Sequence, residues 1–390
     1  MAEVAESQSL SHMPGFEIHP TATGGSPSSG ERTEAPLRLR RTTDRTPNVR
    51  ARAPLRLGMA GGGTDLSPYC DRFGGAVLNA TIDRFAFAHV TPHPEGKLAF
   101  RASDVGLEET YEPGDDLPCD DGLVLHKAVY LHMVRTYRLS PCPALMVSTT
   151  TDAPAGSGLG SSSALVVALV EAFRAALDLP LSPYEVARLA FVIERLDLGL
   201  AGGRQDQYAA AFGGVNFMEF LPEDRVTVNP LRIGRAQLAE LESSLVVCFS
   251  GKSRRSETII KEQVQGLNAT TSTKTVDSMH RLKEEATAMK LAVLQGDVRE
   301  VARILNRSWE AKKQTASGIS TPLIDELFGA AMAEGAWGGK VSGAGGGGFL
   351  MFCTDPENRY RLVSALNEAG GRASSVKFTF DGAEAWTVPA

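Results

Sequence analysis

The sequence predicts an α+β protein of two domains, and three observations carry that prediction. At 390 residues, 43% hydrophobic and 22% charged, the chain has ample apolar material for a core and a length that suits two domains better than one. Up to about residue 225 it reads as glycine-punctuated strands with two helices, and beyond that point longer helical stretches take over. Strands and helices do not alternate regularly, which argues against a doubly wound sheet.

Taken in order, residues 1–49 are rich in Ser, Thr, Pro, Gly and Arg and show no apolar period. Such a segment cannot bury enough surface to offset the entropy of ordering, so a disordered tail is expected. Its APLRLR (Ala35 to Arg40) nearly repeats APLRLG (Ala53 to Gly58), but no solenoid period follows. The first domain is expected over 50–225. Strands are predicted for RAPLRLGM from Arg52, for AVLNATIDRFAFAHVTPH from Ala76, and for ALMVSTTTD, Ala144 to Asp152. SALVVALVEAFRAAL is apolar on nearly all sides and predicts a buried helix ending near DLPLSP. Ser182-Pro183-Tyr184-Glu185 is a capping box with proline at the first helical position, opening a helix to roughly Leu196. A strand follows from Gly214. In the second domain, 226–390, helices are predicted over Val276 to Gln295, Asp297 to Lys313 and Thr321 to Glu334. There GGKVSGAGGGGFLMFC, Gly338 to Cys353, runs a glycine-rich turn into an apolar strand.

The net charge of −6 includes no sustained basic block, which gives a nucleic-acid partner no electrostatic support. No apolar run reaches the roughly eighteen residues of a membrane span, and no secretory signal opens the chain. Five cysteines lie far apart without a CxxC pair, a pattern of reduced thiols that points to the cytoplasm. Small ligands or other proteins are the expected partners, and a homodimer is compatible with the sequence.

APAGSGLGSSSA, from Ala153, sits between a predicted strand and a predicted helix. A strand, a glycine-rich loop and a helix N-terminus together present unpaired N–H groups and the positive end of the helix dipole, an anion site for which phosphate is the usual occupant. Gly156, Gly158 and Gly160 allow backbone torsions closed to other residues, and the Ser161 and Ser162 hydroxyls can bind phosphate or Mg²⁺. A surface turn with serine caps is the competing reading. No lysine follows Gly160, so the loop is not a Walker A motif, and Ser161 replaces the last glycine of the dinucleotide fingerprint.

Three stretches in order, RAPLRLGMAGGGTD (Arg52 to Asp65), APAGSGLGSSSA and KVSGAGGGGF (Lys340 to Phe349), resemble the three motifs of the GHMP small-molecule kinases. The longer phrases AGGGTDLSPYCDRFGGAVLNATIDRFAFA, GGRQDQYAAAFGG and GKSRRSETIIKEQ look most like the branch that phosphorylates heptose 7-phosphates at the anomeric hydroxyl, although L-fucose kinases share much of this text. The resemblance implies a two-domain fold with the active site in the cleft between domains, ATP and Mg²⁺ as cofactors, and a sugar phosphate as acceptor. A non-catalytic nucleotide or sugar sensor is the alternative of another class.

By the same resemblance, Asp206 is the expected base and Arg56 its cationic neighbour, standing where several relatives have lysine. Glu194 with Ser162 would hold Mg²⁺, Ser161 being an alternative to Ser162. Pro154, Gly156, Gly158, Leu159, Gly160, Ser161, Ser162 and Ser163 would form the nucleotide loop. Asp65, with Gly62, Gly63 and Thr64, would contact the sugar. Lys252, Arg254 and Arg255 are candidates for the acceptor's own phosphate, with Arg204, Lys340, Gly345 and Gly346 as further acceptor-side candidates. Each has a bland alternative: an exposed helix acid for Glu194, an outward arginine for Arg56, a turn or cap residue for Asp65, and a solvated basic turn at 252–255.

Overall fold

The computed structural model describes residues 47–251, 257–268 and 273–389. In chain order its strands are β1 (Asn48–Ala60), β2 (Gly75–Pro92), β3 (Leu98–Ala102), β4 (Leu107–Tyr111), β5 (Leu145–Thr151), β6 (Val215–Phe220), β7 (Val226–Pro230), β8 (Leu245–Phe249), β9 (Gly338–Val341), β10 (Phe349–Cys353), β11 (Arg372–Ser375) and β12 (Glu384–Val388). Its α-helices are α1 (Tyr69–Phe73), α2 (Val124–Thr136), α3 (Ser161–Ala176), α4 (Pro183–Phe191), α5 (Gln205–Phe212), α6 (Arg235–Ser244), α7 (Glu257–Asn268), α8 (Thr273–Gln295), α9 (Val298–Lys313), α10 (Pro322–Ala333) and α11 (Arg359–Glu368). This is the mixed helix-and-sheet fold that the pattern predicts.

Among the described residues, eight strands form one sheet in the order β12-β1-β2-β5-β3-β4, with β6 on the first half of β2 and β7 on β6. The pairings are antiparallel except β3 with β5. A second sheet runs β11-β8-β10-β9 and is antiparallel throughout. β12, at the far end of the sequence, returns to the first sheet and pairs with β1 from Asn48↔Val388 to Arg52↔Glu384.

The position of α3 explains its largely apolar composition: Val166 to Phe173 are all buried as the helix packs across β1 and β2, and the one acid among them, Glu171, is paired with Arg174 at 2.6 Å. The expected helices of the second half appear as α8, α9 and α10, with the Asp297 and Thr321 side chains accepting from Glu300 N and Ile324 N as N-caps of α9 and α10. The capping box is present at α4: Ser182 Oγ accepts from Glu185 N at 3.4 Å, and Glu185 Oε2 accepts from Ser182 N at 2.7 Å. Ser182→Ala should therefore lower stability by about 0.5–2 kcal/mol, seen as a lower urea midpoint with an unchanged slope. No helix of the described residues is long and apolar enough to cross a membrane.

Two irregularities position the site. The β1–β2 register shifts between Pro54 and Arg56, and there the Arg56 N–H leaves the sheet to donate to Leu159 O at 3.0 Å. This bond ties the glycine and serine loop to β1. The second irregularity follows α4, where Val192–Asp197 winds as a π-helical turn with Leu198 N donating to Ile193 O at 3.1 Å. Such one-turn expansions often lie at functional sites.

Candidate active site

The loop between β5 and α3 is built from left-handed glycines. Gly156, Gly158 and Gly160 have φ of 74, 81 and 74°, a region that costs other residues about 1–2 kcal/mol. The loop ends on the N-terminus of α3, where Ser161 Oγ donates to Pro154 O at 3.2 Å and the Ser162 side chain is exposed. A cavity of about 410 Å³ opens over it, lined by Gly156, Gly158, Gly160 and Ser161 to Ser163 together with Arg56, Glu194 and Asp206. Pro154 and Leu159, both expected in the nucleotide loop, do not line it. Pro154 shapes the turn through its carbonyl, and the Leu159 side chain is fully buried in the core.

The third glycine motif closes the same wall. Gly343 has φ of 76°, and a Cβ there would come within 2.7 Å of Gly158 Cα. Ser342 Oγ donates to Gly158 O at 2.9 Å and accepts from Gly58 N at 3.3 Å. Arg56 Nη1 donates to Gly158 O at 2.5 Å and reaches Ser342 Oγ at 3.3 Å. All three glycine motifs thus meet at one cross-linked point.

Asp206, in the first turn of α5, faces this point. Arg56 Nε and Nη2 approach its Oδ1 at 2.7 and 2.6 Å, and the Arg56 side chain is only 5% exposed against 23% for Asp206. Removed from water, the guanidinium holds the carboxylate in one orientation. Glu194 lies in the π-helical turn and is 1% exposed. Its Oε2 accepts from Gln207 Nε2 at 2.5 Å, Gln207 Nε2 also donates to Ser163 Oγ at 3.1 Å, and Arg195 stands 3.8 Å away. Burial pushes the Glu194 carboxyl above its usual range, against the opposing charge of Arg195.

Asp65 lines the cavity but its oxygens are engaged. Oδ2 accepts from the backbone N–H of Arg204 and Gln205 at 2.9 and 3.1 Å, and Oδ1 from Gly63 N and Gln205 Nε2 at 3.1 and 3.0 Å. Four hydrogen bonds occupy the acceptor capacity of a carboxylate, so Asp65 ties the first glycine motif to the start of α5.

Gly62 and Gly63 line the cavity, and so does Lys340, whose Nζ donates to Gly58 O at 2.6 Å. Four expected acceptor contacts do not reach it. The Thr64 hydroxyl is turned into the fold, donating to Gly61 O and Ala76 O at 2.8 and 2.9 Å. The Arg204 side chain points away to Asp224 at 2.7 Å and Asp71 at 3.6 Å. Gly345 and Gly346 pack on Ile319, whose carbonyl accepts from Gly346 N at 2.7 Å. Lys252, Arg254 and Arg255 lie outside the described residues.

Sequence reasoning missed Lys312 of α9 and Gln205 of α5, both of which line the cavity. Lys312 is 3% exposed and its Nζ donates to Gly62 O at 3.2 Å. Burial lowers its proton affinity, placing its pKa at about 8, with Arg56 pushing the same way and Asp65 and Asp206 opposing. The legible signal was position. Val301, Leu305, Ser308 and Lys312 share one buried stripe of α9, where a lysine stands out.

With this geometry in place, comparison with known proteins gives a consistent answer. Residues 124–214 match the GHMP kinases N terminal domain and residues 289–372 the GHMP kinases C terminal domain. The chain is 41% identical over 340 residues to D-glycero-alpha-D-manno-heptose 7-phosphate kinase of Campylobacter jejuni, covering 87% of this chain and 99% of that one. Among solved structures it is similar to a D-glycero-D-manno-heptose 1-phosphate kinase from Bacteroides thetaiotaomicron, with 43% identity, a TM-score of 0.74 and 88% and 100% of the two chains covered. It is also similar to a putative sugar kinase from Campylobacter jejuni at 39% identity and a TM-score of 0.73, covering 89% and 100%. Identity at this level over 87% of the chain, joined to three glycine motifs that meet at one cavity, places the chain in the GHMP kinase family as a sugar kinase.

Proposed function

We propose that the chain transfers the γ-phosphoryl group of ATP, with Mg²⁺, to the anomeric hydroxyl of D-glycero-D-manno-heptose 7-phosphate, giving the 1,7-bisphosphate. The observation that carries this reading is the place of Asp206. It stands on the cavity wall beside Gly160, with its Oδ2 about 3.4 Å from where a Cβ on that glycine would sit, and Gly62 and Gly63, the expected acceptor-side turn, line the same cavity. A carboxylate so placed can take the acceptor hydroxyl's proton as the oxygen attacks in line. The full-length likeness to a heptose 7-phosphate kinase supports the choice of sugar.

The residues fit the cofactors. The Gly156 to Ser163 loop and the N-terminus of α3 offer amides to an oxyanion. Glu194 is a buried carboxylate whose only nearby cation is Arg195 at 3.8 Å among the described residues, and Ser162 lines the cavity with it. Hard oxygens from one carboxylate and one hydroxyl suit Mg²⁺, which keeps most of its coordination for water and phosphates. When bound, the ion offsets charge on the phosphates. Arg56 fixes Asp206 and bears positive charge toward the transferred group, Gln207 and Ser163 orient Glu194, and Asp65 holds the start of α5 so that Asp206 keeps its place.

A coupled assay over heptose 7-phosphate, heptose 1-phosphate, free heptose, L-fucose and common hexoses, with ³¹P NMR of the product, tests the reading. The expected result is preference for the 7-phosphate and a new phosphate at the anomeric carbon. Preference for an unphosphorylated sugar, or phosphate at another carbon, overturns it. Glu194→Gln should raise the Mg²⁺ needed for half-maximal rate by about tenfold or more while leaving the acceptor KM within twofold, read from magnesium titrations at fixed nucleotide.

A further inference from the structure

We propose that Lys312, which belongs to none of the three glycine motifs, forms an acceptor subsite on the floor of the cavity, where its ammonium binds hydroxyl oxygens of the sugar. This inference rests on the kinase reading above but not on the identity of the sugar.

Lys312 is 3% exposed, and among the described residues its Nζ makes one hydrogen bond, to Gly62 O, and no ion pair within 4 Å. An ammonium has three donors, and a buried one with two unused costs several kcal/mol relative to a well-packed apolar side chain. A methionine at 312 would satisfy the buried stripe of α9 without that cost. The cation is therefore retained against stability, and it lines the cavity where a ligand can complete its bonding.

Its location selects the ligand. Gly160 packs on Asp206, and Gly158 meets Ser342 and Gly343; the kinase reading above gives that wall to the nucleotide. Lys312 lies beside the first motif instead: methyls built at Gly62 and Gly63 would each fall 4.0 Å from Nζ, and Gln205 Nε2 would be 3.6 Å from the one at Gly62. Donors therefore flank a floor that carries no side chain of its own, which suits the hydroxyl-rich face of a sugar. Arg56 of β1, Lys340 of β9, Asp65 of the first motif and Asp206 of α5 are the charged groups that face Lys312. The two carboxylates favour its charged form and the two cations oppose it.

Lys312→Met and Lys312→Arg test the subsite, using whichever acceptor the wild-type enzyme phosphorylates best. For Lys312→Met the expected results are an acceptor KM raised about tenfold or more, an ATP KM and nucleotide Kd within twofold, and a melting temperature at or above that of the wild type. An unchanged acceptor KM overturns the proposal. So does an ATP KM that rises as much as that of the acceptor, or a lowered melting temperature with both constants disturbed, since these mark a nucleotide contact and a structural lysine. The ammonium is lost as pH rises through its pKa of about 8, so wild-type kcat/KM for the acceptor should fall above that pH. Lys312→Arg, which stays protonated, should lack this limb, and retention of the limb counts against the subsite. As an independent arm, Gly62→Ala adds a methyl at ordinary contact distances. It should fold normally and raise the acceptor KM, and an unchanged KM would show that the sugar does not lie on this floor. A change of preferred sugar in the substrate panel would revise the proposed acceptor and leave the Lys312 result intact.

Discussion

Asp206→Asn is expected to lower kcat by about 10²–10⁴-fold with nucleotide affinity unchanged within a few fold. Arg56 approaches one oxygen of the carboxylate, Oδ1, through Nε and Nη2 at 2.7 and 2.6 Å. Oδ2 has no hydrogen-bond partner among the described residues and faces Gly160. Asparagine would keep its amide oxygen toward the guanidinium, because that group only donates, and would then present its NH₂ where Oδ2 had been. The variant keeps the shape and the Arg56 contact but offers the acceptor hydroxyl a donor instead of a base. Steady-state kinetics alongside calorimetric titration with a non-hydrolysable nucleotide separates the two effects. A kcat within tenfold of wild type would remove Asp206 from the role of base, and loss of nucleotide binding would show that it serves the cradle instead.

Gly343→Ala should be nearly as damaging for a different reason. The backbone there has φ of 76°, and the new Cβ would meet Gly158 Cα at 2.7 Å and Gly158 O at 2.9 Å. Those neighbours are backbone, so no flexible side chain can move aside. Left-handed strain of about 1–2 kcal/mol and overpacking of about 1–3 kcal/mol together give a cost of about 2–5 kcal/mol. Relief comes only by parting the two loops, which breaks the Ser342 and Arg56 bonds to Gly158 O. Nucleotide affinity should drop about tenfold or more, with a lower denaturation midpoint. Binding and stability equal to wild type would show that the loops are not held together.

Much of this was legible in the sequence because the signals were local. The capping box at Ser182, the largely apolar α3 and the three glycine motifs state their structure within a few residues, whereas Glu194 and Asp206 lie outside those motifs and, like the role of Arg56, came with the family resemblance. What stayed hidden depends on contacts distant in sequence. Arg204 read as a binding arginine, but its side chain turns to Asp224 and Asp71, a pairing no spacing reveals. Thr64 stood next to Asp65 in the motif, yet its hydroxyl serves the backbone, donating to Gly61 O and Ala76 O. Gly345 and Gly346 stood among the acceptor-side candidates, but the turn carries them onto Ile319. Lys312 is the charged residue on a buried helix stripe that is otherwise uncharged, a signal that lies in helical spacing and not in any motif.

The contact of Gly158 with Gly343 joins stretches that lie 185 positions apart, as the numbering of the chain gives, and the ligand wall exists only where they touch. Neither half of the chain therefore carries the complete wall of the cavity. A hybrid that grafts one half of this protein onto the complementary half of a distant cousin would inherit every recognisable motif, and would still depend on whether two bare backbones can come within van der Waals reach.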